Sequence, residues 1–552
     1  MASDLSGARL LARNLKQQGV DYAFGIVGFP VVPVALAMQS EGIQFIGMRN
    51  EQSASYAAQA AGYLTGRPQV CLVVSGPGVI HALAGLANAR ENLWPMVLIG
   101  GASPSDQNGM GAFQEEDQVA AAAPYCKYAH RIETVDRIPY YVEQAVRTSL
   151  FGRPGPVYLD MPADVIDQRI DESVVPSAPT VGQPPRTHAD PAAVRAAIAL
   201  LQEAERPLVI VGKGMAWARA EQEMRQFIDR THLPFLASPM GKGVIPDTHP
   251  LSVGAARSHA LAEADVILLA GARLNWIMHY GRQPRFNPDM RMIQLDTHAE
   301  QMSHNVPAAV SLLGDGRAVI GQLNALLADD PWRHGPATPW LTSIAAKIEA
   351  NAEQIAPMRA DDTAPMNYYR AFKDISDWLR SDDIIVGEGA NTMDIGRTQM
   401  PNANPRHRLD AGSYGTMGVG LGFAVAAAVC NPEQRVVVVQ GDSAFGFSGM
   451  EMETICRHGL KVIVVILNNN GIGRGIAEFP TEGPLPPNVY LPTARYERIA
   501  EAFGGGSWYV EDPADLRAAL DAAAAHGGPG IVHVRLEPTA DRKPQQHGWL
   551  TR

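Results

Sequence analysis

Two apolar segments in the last third of the chain each end in residues that could hold a cation. RVVVVQGD ends in Asp442, and KVIVVILNNN ends in an asparagine run that includes Asn469. The residues between them have helical composition, so the pattern predicts a strand–helix–strand unit whose parallel strands end at one sheet edge. A carboxylate, an amide oxygen and the carbonyl of Gly471 are hard oxygen ligands, which suit Mg²⁺ or Ca²⁺ rather than zinc.

So few protein ligands would leave Mg²⁺ to share its coordination shell with phosphate and water. The backbone N–H groups of Ser443 and Ala444 fall at the predicted start of a helix, where they would face that phosphate. A lone GDS is typical of a turn, and a lone NN is typical of a strand end. Together, in this strand–helix–strand context, they predict a metal–diphosphate site.

The segment resembles the diphosphate-binding motif of thiamine-diphosphate enzymes, with Ser443 in place of the commoner third glycine. The resemblance extends over essentially the whole chain. It implies thiamine diphosphate as cofactor and Mg²⁺ held by Asp442, Asn469 and the Gly471 carbonyl. It also implies that Asn391, in GEGANTMDIGR, contacts the diphosphate from a neighbouring strand end.

Glu51 opens the Ala-rich segment EQSASYAAQAAGYLTG, where the helix dipole alone would favour a carboxylate. The resemblance implies that Glu51 contacts the pyrimidine ring nitrogen and so helps to form the cofactor's carbon nucleophile. In AGSYGTMGVGLG, it implies that the Gly415 carbonyl accepts from the 4′-amino group and that Met417 wedges between the two rings. In this family Glu51 and the diphosphate motif come from different subunits, which implies a homodimer or homotetramer with active sites at subunit interfaces.

The version GDSAFGFSGMEMETICR is similar to that of oxalyl-CoA decarboxylases and 2-hydroxyacyl-CoA lyases, which act on CoA thioesters. The decarboxylases carry a Tyr-Glu pair where this chain has Phe113 and Gln114. The lyases carry GAFQ and a histidine in SGPGxIHAL, which match Gln114 and His81 as candidate catalytic residues. His81 is a candidate proton shuttle because an unperturbed imidazole titrates near neutral pH. Gly473 replaces a tyrosine common in relatives, which predicts space for a bulkier or branched carbonyl product.

The favoured hypothesis is therefore a carbon–carbon lyase that cleaves a 2-hydroxyacyl-CoA into an aldehyde or ketone plus formyl-CoA. The same site could also run in reverse and join the two products. An oxalyl-CoA decarboxylase that gives formyl-CoA and CO₂ is the alternative. A carboligase of the acetolactate synthase type and a catalytically silent binding subunit are further alternatives. The silent subunit would be expected to lack Glu51 or the diphosphate motif, and this chain has both.

The CoA site is predicted from polar residues that follow strands of the middle third or lie near the thioester. These candidates are Lys213, Arg273, Asp296 and Arg397. The C-terminal tail, basic at Arg542 and Lys543 and aromatic at Trp549, is a candidate lid over CoA and otherwise a disordered terminus.

Short β-rich runs alternate with Ala-rich helical stretches along the chain, which predicts an α/β protein. A Pro-rich stretch at residues 174–191 and an irregular one near residues 329–365 divide it. We expect three doubly wound parallel-sheet domains of the thiamine-diphosphate enzyme type. By the resemblance they are a pyrimidine-binding domain (1–175), a central CoA/nucleotide-binding domain (190–330) and a diphosphate-binding domain with the tail (365–552).

The 552 residues carry a net charge of −11 without long basic runs, which argues against nucleic acid or an acidic membrane surface as a partner. Four cysteines without a CxxC pair predict free thiols rather than disulfides or zinc. The N-terminus lacks the apolar core of a signal peptide, and no apolar run reaches the roughly 20 residues of a membrane span. These features predict a cytoplasmic location.

Overall fold

Three parallel β-sheets, one in each third of the chain, carry the polar strand ends identified above. The computed structural model describes residues 4–480 and 482–543. Most strands are buried on both faces and rich in Val, Ile and Leu, as expected for parallel sheets covered by helices. The prediction of an α/β fold with three parallel-sheet units is confirmed.

The N-terminal sheet has the strand order β3-β2-β4-β5-β7-β6, and every pairing in it is parallel. A short antiparallel pair, β1 with β8, lies beside it. The strands are β1 (Asp4–Ser6), β2 (Tyr22–Gly25), β3 (Gln44–Gly47), β4 (Gln69–Val73), β5 (Met96–Ala102), β6 (Ala129–Arg131), β7 (Pro156–Pro162) and β8 (Arg169–Asp171). The helices are α1 (Gly7–Gln17), α2 (Val32–Ser40), α3 (Glu51–Thr65), α4 (Pro77–Asn92), α5 (Gln118–Ala122), α6 (Ile138–Leu150) and α7 (Ala163–Asp167).

The central sheet has the order β10-β9-β11-β12-β13 and is also parallel throughout. Its strands are β9 (Pro207–Val211), β10 (Phe235–Ala237), β11 (Val266–Ala270), β12 (Arg291–Asp296) and β13 (Ala308–Leu313). The helices of this region are α8 (Pro191–Glu203), α9 (Lys213–Trp217), α10 (Glu221–Thr231), α11 (Arg257–Glu263), α12 (Gly316–Asp329) and α13 (Pro339–Arg359).

The C-terminal sheet has the order β15-β14-β16-β17-β19-β18, again with parallel pairings. Its strands are β14 (Ile384–Glu388), β15 (Arg408–Asp410), β16 (Val436–Gly441), β17 (Val462–Asn468), β18 (Gly506–Val510) and β19 (Gly530–Arg535). Its helices are α14 (Tyr368–Trp378), α15 (Ala390–Gln399), α16 (Gly420–Cys430), α17 (Asp442–Ser448), α18 (Glu451–Arg457), α19 (Arg498–Ala502) and α20 (Pro513–His526).

The N-terminal and C-terminal sheets have equivalent strand order, and the central sheet shares the order of their first four strands but then ends with β13 next to β12. One hydrophobic core runs from the N-terminal sheet through α3 and α16 into the C-terminal sheet. A Cβ at Gly422 would lie 2.7 Å from the Ser53 carbonyl oxygen, so the approach of α16 to α3 depends on a glycine there. This contact fixes the two sheets relative to each other and places their strand ends.

Residues 175–190 connect the N-terminal and central units as irregular chain, in agreement with their Pro-rich composition. The four cysteines are free, and Cys71 is buried. Within residues 4–480 and 482–543, no helix is both long enough and apolar enough to cross a membrane.

Candidate functional site

The predicted metal site lies where the adjacent parallel strands β16 and β17 end. Asp442 begins α17 directly after β16, and its Oδ1 accepts a 2.9 Å hydrogen bond from the Ser443 N–H. The other oxygen, Oδ2, is buried and has no hydrogen-bond partner among the described residues. Burial raises the pKa of Asp442 to about 7, since removal from water disfavours the charged form. A buried carboxylate oxygen without a partner is suited to a cation.

Asn469 and Asn391 converge on one carbonyl beside Asp442. Asn469 Nδ2 donates to the Gly473 carbonyl at 2.9 Å, and Asn391 Nδ2 donates to it at 3.2 Å. The bond uses the amide nitrogen of Asn469, so its Oδ1 is the atom left to meet a metal. A Cβ at Gly471 would lie 2.7 Å from the Asn488 carbonyl oxygen, so the turn requires glycine there. The donor set therefore fits Mg²⁺, as the sequence predicts, with phosphate and water completing the shell.

Ser443 and Ala444 occupy the first turn of α17. The Ser443 hydroxyl lies 3.2 Å from the Tyr490 hydroxyl, and Ala444 is buried. The Ser443 N–H is engaged by the Asp442 carboxylate within the turn, whereas the sequence analysis assigned it to a phosphate. Its role toward a phosphate stays a prediction.

The glycine-rich segment between β15 and α16 is anchored by Glu388, a residue that the sequence analysis did not single out. The Glu388 carboxylate accepts hydrogen bonds from the N–H groups of Gly418 and Gly420. Burial raises the pKa of Glu388 to about 7, against the opposing effect of these hydrogen bonds. Gly415 has a φ of 69° and open space around its Cβ position, and Met417 is half-buried. Both therefore lie on a loop whose position depends on a buried carboxylate.

Glu51 lies at the start of α3, after the helix cap Asn50. Its Oε2 is 3.2 Å from Nδ1 of His81 on α4, so the structure pairs two candidate residues from separate helices. The preceding backbone is also held, because Glu451 accepts from the N–H groups of Arg49 and Asn50. Glu451 lies nine residues beyond Asp442, and the sequence alone carries no signal that it reaches the Glu51 turn.

Gln114 lies beside the start of α4, the helix that carries His81. Its backbone adopts a left-handed φ of 56°, and its Oε1 accepts from the Ser75 hydroxyl at 3.3 Å. A Cβ at Gly76 would lie 2.5 Å from the Gln114 carbonyl oxygen. Phe113 is two-thirds exposed and forms an edge-to-face pair with Phe29, with ring centroids 6.0 Å apart. The structure thus gathers Glu51, His81 and Gln114 at one end of the N-terminal sheet.

Within residues 4–480 and 482–543, no hydrogen bond or ion pair joins Glu51 to Asp442. Large apolar side chains near both groups are exposed in the single chain. They are Phe29, Ile80, Phe113, Tyr414, Phe447 and Ile472. Their exposure is compatible with a second subunit covering this face.

Two of the predicted CoA contacts, Lys213 and Arg273, are largely buried and bind backbone. Lys213 Nζ donates to the Asn92 carbonyl and lies 5.3 Å from the Trp94 ring centroid. Burial, together with the nearby Arg273, holds the pKa of Lys213 well below its usual value. Arg273 donates to the Glu91 carbonyl and, at 3.2 Å, to the Ser413 hydroxyl.

The other two predicted CoA contacts form ion pairs. Asp296 pairs with Arg153 at 3.3 Å, and Arg397 pairs with the buried Asp410 at 3.1 Å. Arg397 also lies 3.2 Å from Asp394, which Arg542 of the C-terminal segment reaches at 2.6 Å. Lys543 is hydrogen-bonded to Asn351, whereas Trp549 lies outside the described residues. The four CoA assignments and the lid stay predictions.

Comparison with protein-family models identifies three consecutive matches along the chain. They are the N-terminal TPP binding domain (residues 5–121), the central domain (residues 194–323) and the C-terminal TPP binding domain (residues 389–534) of thiamine pyrophosphate enzymes. Each match overlaps one of the three parallel sheets.

The chain is also similar over nearly its whole length to curated proteins. It is 49% identical to 2-hydroxyacyl-CoA lyase 1 of Mus musculus and 48% identical to that of Homo sapiens, in each case over 99% of this chain and 97% of the relative. It is 41% identical to the oxalyl-CoA decarboxylase of Escherichia coli (strain K12), over 97% of this chain and 95% of that protein. The chain belongs to the thiamine pyrophosphate enzyme family, in the group that contains 2-hydroxyacyl-CoA lyases and oxalyl-CoA decarboxylases.

Proposed function

We propose that this protein is a thiamine-diphosphate-dependent lyase that cleaves a 2-hydroxyacyl-CoA into an aldehyde or ketone plus formyl-CoA. The observation that carries the proposal is the 49% identity to a 2-hydroxyacyl-CoA lyase over 99% of the chain. The reaction breaks the bond between the thioester carbon and the hydroxyl-bearing carbon. The hydroxyl-bearing carbon becomes the carbonyl carbon of the aldehyde or ketone, and in the net balance the proton of the 2-hydroxyl group ends on the formyl carbon. The same site could join the products in reverse.

The cofactor is thiamine diphosphate, and we assign Mg²⁺ to Asp442, Asn469 and the Gly471 carbonyl. The unpartnered Oδ2 of Asp442 supports that assignment. We assign contacts with the cofactor to Glu51, Asn391, Gly415, Met417, Ser443 and Ala444. When bound, thiamine diphosphate would supply a carbon nucleophile for the thioester carbonyl and an electron sink for the negative charge left when the carbon–carbon bond breaks.

Glu51 and His81 are the proposed proton-handling pair. Glu51 would hydrogen-bond the pyrimidine ring through its carboxylate, while His81, 3.2 Å away, would exchange protons with the 2-hydroxyl group or the leaving carbonyl oxygen. Gln114 has a neutral amide, which can hydrogen-bond an uncharged 2-hydroxyl group without repelling it.

The CoA thioester is proposed to contact Lys213, Arg273, Asp296 and Arg397. Residues 1–175, 190–330 and 365–552 would then be the pyrimidine-binding, central and diphosphate-binding domains. The exposed aromatic side chains near the site support a homodimer or homotetramer. Size-exclusion chromatography with light scattering would measure the molar mass and so test this oligomeric state. A cytoplasmic location also stays a prediction.

Oxalyl-CoA decarboxylase activity is the second candidate, favoured by the 41% identity to the Escherichia coli enzyme. Both reactions yield formyl-CoA, so the co-product separates them. The decarboxylase would release CO₂, whereas the lyase would release a ketone or an aldehyde.

The test is incubation of the purified protein with thiamine diphosphate, Mg²⁺ and one of three substrates: 2-hydroxyisobutyryl-CoA, a straight-chain 2-hydroxyacyl-CoA or oxalyl-CoA. Mass spectrometry would follow formyl-CoA and the carbonyl product, with Glu51→Gln as the inactive control. Acetone or an aldehyde together with formyl-CoA supports the lyase. Turnover of oxalyl-CoA alone would replace the lyase with the decarboxylase.

A further inference from the structure

A buried chain of hydrogen bonds leads to the proposed metal site from β19, the strand that pairs with β17. Its centre is a Glu497–His533 pair in which both side chains are almost fully buried, at 2% and 0% exposure. His533 Nδ1 lies 2.8 Å from Glu497 Oε2, and Arg495 Nε donates to Glu497 Oε1 at 2.6 Å. On its other side, His533 Nε2 lies 2.9 Å from Asn468 Nδ2. The proposed reaction uses none of these four side chains.

One backbone N–H group fixes which atom donates and which accepts in every hydrogen bond along this buried series. The N–H of Asn470 can only donate, and it lies 2.8 Å from the Asn468 side-chain oxygen. Asn468 must therefore turn its amide nitrogen, a donor, toward His533. The Nε2 of His533 must accept, so the ring proton lies on Nδ1 and Glu497 accepts it. Burial lowers the pKa of His533, which keeps the ring in this neutral form.

The segment at the end of this chain is the metal-binding turn itself. Asn468 ends β17, and the proposed ligands Asn469 and Gly471 follow it directly. Asn470 between them adopts a left-handed φ of 60°, a conformation that asparagine adopts more readily than most residues with a side chain. The Asn470 backbone is held at two points, by its N–H to Asn468 and by its carbonyl to the Tyr490 N–H at 3.0 Å.

We propose that Glu497 and His533 are positioning residues, which hold the metal-binding turn by fixing the side-chain amide of Asn468. This inference rests on the proposed metal site. It assigns a role to the first asparagine of the NNN run and to two ionisable residues distant from it in sequence, Glu497 and His533. His533 lies on β19, the strand that pairs with β17. Groups one step removed from metal ligands commonly change metal affinity by 10–100-fold when they are altered.

The substitution Glu497→Gln tests the proposal with almost no change of shape. The NH₂ group of the glutamine has two possible positions. It faces either Arg495 Nε, so that two hydrogen-bond donors meet, or His533 Nδ1. In the second case the ring proton must move to Nε2, where it meets the Asn468 NH₂ group. Asn468 then has to rotate, and its oxygen leaves the Asn470 N–H. Either result disturbs the chain at a point that touches no metal ligand.

The experiment measures the Mg²⁺ dissociation constant of the metal-stripped protein at saturating thiamine diphosphate, through intrinsic tryptophan fluorescence. We expect Glu497→Gln to raise this constant about tenfold. The matched control is Glu501→Gln. Glu501 is an exposed glutamate that accepts a hydrogen bond from the Ser507 hydroxyl and takes no part in the buried hydrogen-bond chain. This control should leave the Mg²⁺ dissociation constant unchanged. His533→Phe is a second variant, because a phenyl ring keeps the edge contacts with Tyr496 and Tyr509 but removes both ring nitrogens.

A double-mutant cycle separates positioning from general loosening of the domain. If Glu497 acts through Asn468, then Glu497→Gln should have little further effect on Mg²⁺ affinity in an Asn468→Ala background. Full additivity, or unchanged affinity in both Glu497→Gln and His533→Phe, would overturn the inference. Asp442→Ala is measured in parallel: if it also leaves Mg²⁺ affinity unchanged, the metal site itself is misassigned, and the inference falls with it.

Discussion

Oε2 of Glu51 lies 3.2 Å from Nδ1 of His81, although the two residues belong to separate helices that follow different strands. α3 begins after β3 and α4 begins after β4, so both helix starts lie at the same edge of the N-terminal sheet. The pair joins a carboxylate to an imidazole, whose two ring nitrogens can donate and accept hydrogen bonds.

Replacing Glu51 with Gln should lower the rate of formyl-CoA formation by at least about 100-fold. An amide does not gain or lose a proton, whereas general acid–base catalysis requires a group that does. Cofactor affinity should change much less, since the metal site is built from other residues. The measurement is the initial rate of formyl-CoA release beside a thiamine diphosphate titration. Comparable rates in variant and parent would remove Glu51 from the chemistry.

Replacing His81 with Ala should lower kcat by about 10–100-fold with a smaller change in KM, because a proton-transfer group is lost while substrate contacts stay. His188→Ala is the matched control, since His188 is an exposed histidine in the linker. Loss of activity seen only as a raised KM would argue for a binding role instead.

Replacing Asp442 with Asn should abolish Mg²⁺-dependent binding of thiamine diphosphate, measured by isothermal titration calorimetry. The cofactor-free protein should not lose thermal stability, because burial disfavours the charged form of this carboxyl group and the amide is neutral. Asp521→Asn, at an exposed carboxylate on α20, serves as control. Binding that survives the change would place the metal elsewhere.

Glu388 should make stability depend on pH. Burial raises the pKa of Glu388 to about 7 in the folded state, above the value of about 4.3 in an unfolded chain. Between these values the folded protein keeps a proton that the unfolded chain releases, so the free energy of unfolding falls as pH rises, by up to about 4 kcal/mol. This contribution is complete below the unfolded pKa and is lost as pH rises through about 7.

The measurement for Glu388 is chemical denaturation of the cofactor-free protein at about pH 5 and about pH 8. Glu388→Gln should remove this part of the pH dependence while keeping a group of the same size under the glycine-rich loop. Equal pH dependence in parent and variant would mean that the carboxylate is ionised in the folded state throughout.

Replacing Gly473 with Tyr should lower the kcat/KM ratio of 2-hydroxyisobutyryl-CoA to a straight-chain substrate, because the ring would occupy space available to a branched product. No atom lies within 4 Å of the Cβ position, but the φ of 77° makes any side chain cost roughly 1–2 kcal/mol. Gly483→Tyr is the control, since Gly483 combines a φ of 86° with the same open space in an exposed loop. An unchanged ratio would remove position 473 from substrate selection.

Much of the fold and part of the site could be predicted from the amino-acid sequence. Apolar runs that end in Gly or a polar residue mark parallel strands, because such strands are buried along their length and open to ligands at their carboxyl ends. Asp442 and Asn469 directly follow neighbouring strands, so local pattern alone placed them at one edge. The family resemblance could be seen in the sequence because its motifs are short and contiguous, and the three family-model matches confirm it.

Tertiary structure decided the rest. The Glu51–His81 pair, the contact of Glu451 with the Glu51 turn, and the Glu497–His533–Asn468 chain join segments far apart in sequence. Buried polar groups take whichever partner the packed elements bring within about 3 Å, and no periodicity encodes that choice. The sequence by itself determined which strand ends carry chemistry. Only the packing of helices between the sheets decided which buried carboxylates hold those strand ends in place.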